Sequence, residues 1–277
     1  MESPTFPTEI FESILWYSSY STLLTTSSVN CTFHLISRKY IFNFVSLKRT
    51  VYNRDTVSRA KTFLSLLDLV PDIANCVRRI HIDCFGDDLF ESSPDADATP
   101  LITVLSRLPR LNSISLRGED SSKSEDTWID WKEVSVELRQ TFGRIFRSPL
   151  VCEIKLSHIC NLSLAIFAGC HSLQHLSFNV VSSRVTLPSQ KDITFRPKLK
   201  SLIFRNSFTR QHDEVNVTWM FSPQGIFDIS QLGKFTFSGE KNHIRPASII
   251  SLCAKSIQSL ELKMDCKVFL FIRCSFA

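Results

Sequence analysis

One short pattern recurs along most of this chain and limits what the chain can fold into. It reads apolar-x-x-apolar-x-apolar. It occurs as Val77-x-x-Ile80-x-Ile82, Leu111-x-x-Ile114-x-Leu116, Val151-x-x-Ile154-x-Leu156, Leu173-x-x-Leu176-x-Phe178, Leu199-x-x-Leu202-x-Phe204, Leu232-x-x-Phe235-x-Phe237 and Ile257-x-x-Leu260-x-Leu262. Phe42-x-x-Val45-x-Leu47 offers an earlier copy. From Ile80 onward the central positions stand 34, 40, 22, 26, 33 and 25 residues apart. Each copy ends in apolar/polar alternation, as a strand with one buried face requires. Helix signals fall between the copies. Thr99-Pro100 opens a segment over Leu101–Leu108, and Glu133–Phe146 is amphipathic through Val134, Leu138, Phe142, Ile145 and Phe146. Leu162–Ala168 stops at Gly169, and Pro246 opens Ala247–Ala254. Strand, turn and helix at such intervals predict an α/β fold: a curved parallel sheet with helices outside, stacked as an irregular solenoid. Ile80, Ile114, Ile154, Leu176, Leu202, Phe235 and Leu260 are expected in its core.

The first 40 residues follow a different, helical rhythm. Thr5 or Ser3 is placed to cap a helix from about Pro7 to Tyr17, with Ile10, Ile14 and Tyr17 on one face. A break at Ser18–Thr22 precedes a short helix beginning at Leu23 and Leu24. A third helix is expected from about Ser28 to Lys39, with Val29, Phe33 and Ile36 aligned. Three short helices bury little by themselves, so they need the rest of the chain or a partner. The organisation expected is a helical module over residues 1–48 and a repeat unit over 49–277.

Charge is uneven. Residues 1–30 carry −3; nine basic and three acidic residues give 31–80 a net +6; five and twelve give 81–133 a net −7; eighteen and nine give 134–277 a net +9. The acidic or polar stretches Asp87–Thr99, Glu119–Thr127 and Arg210–Asn216 read as loops that lengthen single repeats. No Lys/Arg run exceeds two and aromatics do not interleave with them, so nucleic acid is not an expected partner. No apolar run approaches the roughly 20 residues of a membrane span. The N-terminus is acidic and lacks a basic signal region, and the nine cysteines include no C-x-x-C. A reduced protein of the cytoplasm or nucleus is expected.

Catalytic and cofactor motifs are missing: no G-x-S-x-G, P-loop or H-E-x-x-H pattern occurs. Cys170, His171 and His175 have inviting spacing, but Gly169 and a predicted strand over Leu173–Phe178 prevent a shared helix face, and no metal site is expected. Asp87-Asp88 and Glu119-Asp120 read as solvated turns. Trp128 and Trp131 read either as exposed binding aromatics or as staples that hold a long loop to the repeats. If the apolar positions of each copy face inward, the alternate residues line the opposite face. These include Arg79, His81, Arg117, Lys155, His175, Asn179, Arg205, Lys234 and Lys263, with Ser113, Ser115, Ser177 and Ser201 among them. Such a face suits an acidic or phosphorylated peptide, and a merely solvated sheet face is the plain alternative. Of these, Arg117, Lys155, His175, Asn179, Arg205 and Lys234 are the candidate substrate-binding residues.

The helical module carries a resemblance. Phe6-Pro7-x-Glu9-Ile10-x-x-x-Ile14-Leu15, then Leu23-Leu24, then Val29-x-x-x-Phe33, resembles the F-box, without a gap from Phe6 to Phe33. Phe6 replaces the usual Leu, Ser18 a usual Leu, Asn30 the Cys and Phe33 the Trp. The copies behind it are similar to the degenerate leucine-rich repeats that follow F-boxes in fungi; Val77-Arg78-Arg79-Ile80-His81-Ile82 and Arg196-Pro197-x-Leu199-x-x-Leu202 resemble segments of mushroom-type F-box-like proteins. The resemblance implies a substrate receptor of a cullin-RING ubiquitin ligase, with no catalytic residues and no cofactor of its own. Phe6, Pro7, Ile10, Ile14, Leu15, Leu23, Leu24, Val29 and Phe33 would bind a Skp-family adaptor, and the repeats would hold an unidentified protein. A repeat scaffold without adaptor binding is the alternative. One feature departs from the usual repeat: the turn position normally held by Asn or Cys is Phe85, Glu119, Ile159, Val181, Ser207, Glu240 and Asp265. Backbone groups there need other partners.

The C-terminus, Val268–Ile272 above all, is apolar and β-prone. Either it folds back as a last strand, or the repeats of a longer chain once continued. The second is the expectation, with poor solubility that removal of 267–277 would relieve.

Overall fold

A computed structural model describes residues 7–48, 56–83, 97–118, 129–182, 195–205, 207, 219–222, 224–239, 246–264 and 269–272. The chain is α/β. Helices α1 (Thr8–Trp16), α2 (Tyr20–Ser27) and α3 (Cys31–Ile41) come first. Strands β1 (Phe44–Leu47), β2 (Arg79–Asp83), β3 (Ser113–Arg117), β4 (Ile129–Asp130), β5 (Glu153–Cys160), β6 (His175–Val181), β7 (Ser201–Arg205), β8 (Lys234–Gly239), β9 (Ser259–Met264) and β10 (Phe269–Ile272) make one sheet. Between them lie α4 (Thr56–Leu69), α5 (Thr99–Ser106), α6 (Val136–Phe146) and α7 (Pro246–Cys253).

The strands stand in chain order, with β4 beside the upper end of β5. Every described pairing of named strands is parallel except β9 with β10. All seven predicted copies are in this sheet, and their central residues share one row: Ile80, Ile114, Ile154, Leu176, Leu202, Phe235 and Leu260 pair in succession. Six of them are fully buried and Leu260 partly so. The earlier copy joins the same row, Val45 opposite Ile80. Residues 44–47 thus belong to the sheet rather than to the helical module, because the apolar pair Val45 and Leu47 has its buried neighbours there.

Parallel neighbours need a crossover connection, and the described ones all lie against one face. Val57, Ala60, Phe63 and Leu67 of α4, Leu101, Val104 and Leu105 of α5, and Leu138, Phe142 and Phe146 of α6 enter the same core as the strand row. Helix α4 lies in a stretch for which the repeat pattern predicts nothing. Its apolar residues are nevertheless spaced three and four apart, and Arg107 at the end of α5 pairs with its Asp68. The segment expected as a helix over Leu162–Ala168 is a single 3-10 turn, Leu164–Phe167. A connection of 22 residues from Ile154 to Leu176 leaves no length for more. Phenylalanines fill the space: Phe167 packs on Phe146 at 6.1 Å, Phe178 at 5.9 Å and Phe227 at 5.5 Å between ring centroids. Trp131 is buried against Phe142, 5.9 Å away, which agrees with a staple; Trp128 lies outside the described residues.

The turn positions explain how the sheet manages without an Asn or Cys ladder. Ile159 and Val181 continue as strand and pair with each other. Ser207 replaces the missing amide: its hydroxyl accepts from the Val181 N–H (3.1 Å) and donates to the Arg205 carbonyl (2.8 Å). Phe85, Glu119, Glu240 and Asp265 lie outside the described residues, as do the predicted loops except residues 97–99 of the first.

The tail takes the course that the sequence reading disfavoured. Phe269–Ile272 turns back antiparallel on β9, Phe269 opposite Lys263 and Ile272 opposite Leu260. A short connection permits only an antiparallel return.

Candidate functional site

Two surfaces carry the candidate residues. The first is the helical module. Its N-terminal helix starts at Thr8, with Pro7 at the cap position and no side-chain cap; Thr5 and Ser3 lie outside the described residues. Ser19 caps α2 by accepting from the Thr22 N–H, and Asn30 caps α3 by accepting from the Phe33 N–H at 2.9 Å. The Asn that departs from the F-box pattern is therefore a good N-cap. Ser18, the other departure, donates its hydroxyl to the Ile14 carbonyl (3.0 Å), so it imposes no unpaired polar group. The helices close on a small core of Leu15, Leu23 and Ile36, with Phe11, Tyr40 and Ile41 against it. Lys39 bonds Glu12 at 2.8 Å and ties α3 to α1; that hydrogen bond and the charge of Glu12 raise the Lys39 pKa.

Exposure divides the candidate adaptor residues. Pro7, Ile10, Ile14, Leu24 and Val29 are exposed, Ile14 at 58% and Val29 at 64%. Trp16, Tyr17, Tyr20 and Leu35, which the sequence reading did not assign, are exposed as well. Leu15 and Leu23, by contrast, are only 3% and 6% exposed. They hold the helices together and offer no surface to a partner, so their place in the contact set is corrected to that of internal supports. Phe33 is half-buried, edge-on to Phe11 at 4.9 Å. Phe6 lies outside the described residues.

The second surface is the sheet face turned away from the helices. Arg117, Lys155, His175, Asn179, Arg205 and Lys234 all occupy alternate positions there, in three rows fixed by the register. The strand order thus brings together residues up to 117 positions apart in the chain, Arg117 to Lys234. At one end the face is a closed polar ladder. His81 contacts Ser115 Oγ through Nδ1 at 2.8 Å and Asp83 Oδ1 through Nε2 at 2.7 Å. A Ser, His and Asp in line suggest a nucleophile. However, β2 and β3 are hydrogen-bonded on both sides, so their amides are committed to the sheet and cannot serve as oxyanion donors. Ser113 donates to Glu153 (2.6 Å), and Glu153 pairs with Lys155 (2.9 Å). Burial alone would raise the Glu153 pKa, but these two partners hold the carboxyl below its ordinary range. Asn179 donates to Ser157 Oγ at 2.8 Å.

Cys170, His171 and His175 do not converge. Cys170 is buried, its thiol pushed up to about 12 by desolvation; His171 stacks edge-on against Phe195 at 4.4 Å; His175 is on the open sheet face. Among the described residues no helix is long and apolar enough to cross a membrane.

The sequence matches no model of a known protein family, and no curated protein matches it.

Proposed function

We propose that this chain is the substrate receptor of an SCF-type ubiquitin ligase. In this reading the N-terminal helices are an F-box that docks a Skp-family adaptor, and through it a cullin. The parallel strands and their helices are irregular leucine-rich repeats that hold the target protein. The observation that carries the reading is the exposed apolar set Pro7, Ile10, Ile14, Leu24 and Val29, displayed by helices whose own core, among the described residues, has three buried side chains. Apolar side chains left in water on so small a unit gain by burial against a partner. Neither Ser18 nor Asn30, two of the departures from the motif, leaves its side chain unsatisfied: Ser18 donates to the Ile14 carbonyl and Asn30 caps α3.

Ile14→Asp tests it. The exposed side chain tolerates the change in the free protein, whereas an aspartate in an apolar interface is desolvated without a partner. Capture of a purified Skp-family adaptor should fall by roughly 30-fold or more, the scale of a 2 kcal/mol hot spot, while the thermal unfolding of the sheet is unchanged. Undiminished capture would leave the scaffold without adaptor binding as the better account.

A further inference from the structure

We propose that the open sheet face over β6–β8 binds an extended acidic polypeptide segment with one apolar residue among its carboxylates. The proposal rests on the receptor reading and names the chemistry of its target. Three observations carry it. First, charge is balanced on both flanks of this region but not within it. Glu153 is occupied by Lys155 and Ser113, and Glu261 by Lys263 (3.0 Å) and Thr236 (3.4 Å). The side chains of Lys200, Arg205 and Lys234 make no hydrogen bond or ion pair with a described residue, although Arg205 lies within electrostatic reach of Glu261. Second, the region is hollow. His175, Lys200, Gln231, Lys234 and Gln258 line a depression of about 560 Å³ at the N-terminal ends of these strands. Third, Ile203 sits on the polar face, between Ser177 and Thr236 in the register, with Arg205 two residues along its own strand. A half-buried apolar residue with Arg205 beside it and Lys234 on the diagonal has the anatomy of a binding centre with a charged rim.

Lys234 and Arg205 stand one strand apart and four residues along the strand direction, about 13 Å, so they favour carboxylates spread along a segment over one compact anion. An extended segment presents same-side residues about 6–7 Å apart and meets them one by one.

Fluorescence anisotropy on the full chain tests this with four labelled probes: a nine-residue peptide of Glu and Asp around a central Leu, the same peptide with Lys for every acid, a peptide with one phosphoserine and no carboxylate, and a single-stranded RNA of matched charge. The acidic peptide should bind best and weaken several-fold between about 0.05 M and 0.3 M salt. The double variant Lys234→Glu, Arg205→Glu should weaken it at least tenfold, and Lys263→Gln should not. Absence of acidic-peptide binding, equal or tighter binding of the RNA or the phosphoserine peptide, or indifference to the double variant would overturn the proposal. Adaptor capture reads the parent proposal separately: the double variant should retain it, and Ile14→Asp should lose it while still binding the peptide.

Discussion

Val180 adopts φ 54°, in the left-handed region, although it is β-branched. His158, at φ 55°, occupies the equivalent place one strand earlier, since Ser157 pairs with Asn179 and Ile159 with Val181. Two neighbouring strands therefore kink at the same level. The kink drives the His158 carbonyl to within 2.3 Å of where a Cβ on residue 118 would stand, which is why Gly118 is there. Histidine and asparagine tolerate the left-handed region; valine does so at a cost of roughly 1–2 kcal/mol. Val180 is held there by the buried Val181 that follows it, whose amide donates to the Ser207 hydroxyl. Val180→Asn should accordingly stabilise the protein by about 0.5–1 kcal/mol, part of the strain being offset by lost apolar contact. An unchanged or lower urea midpoint would show that the side chain contributes more by packing than its backbone costs.

At the scale of elements, strands were legible and connections less so. A strand needs only alternation, and every copy from Val77 to Leu262 supplied it, with the same residues buried as the pattern demands, Leu260 and Leu262 only partly. The 3-10 turn at Leu164–Phe167 was misread as a helix because apolar content and a following glycine cannot report how much chain the crossover has to spend. The tail illustrates the same limit. Its β-propensity was plain, but whether it had a partner depended on the free edge of β9. Truncation after Met264 removes the ladder between β9 and β10 and should lower the midpoint of thermal unfolding; an unchanged or higher midpoint would show that this pairing contributes nothing.

Across the whole molecule the described residues form two cores of unequal size. One runs through the sheet and its helices from Leu47 to Ile257; the other is Leu15, Leu23 and Ile36. Stability follows buried apolar contact, so the helical module should open before the sheet. Amide exchange over Thr8–Ile41 should be faster than over β2–β8, and uniform protection would contradict the division. An adaptor that docks on the module should slow its exchange selectively, by about 2.7 kcal/mol at a hundredfold excess over Kd.

The sequence by itself determined the eight strands that carry the repeated pattern, their inward row and the helical start, because binary patterning and capping act within a few residues. It also determined which residues line the outer sheet face, since a strand alternates strictly. Only the tertiary structure decided what those residues do there. Lys155 and Lys263 are neutralised by their neighbours, whereas Lys200, Arg205 and Lys234 have no such partner among the described residues. It likewise decided that Leu15 and Leu23 point inward while Ile14 and Leu24 point outward, and that the tail pairs with β9. Ion pairing, burial and strand pairing depend on which distant segments become neighbours, and no local pattern carries that information.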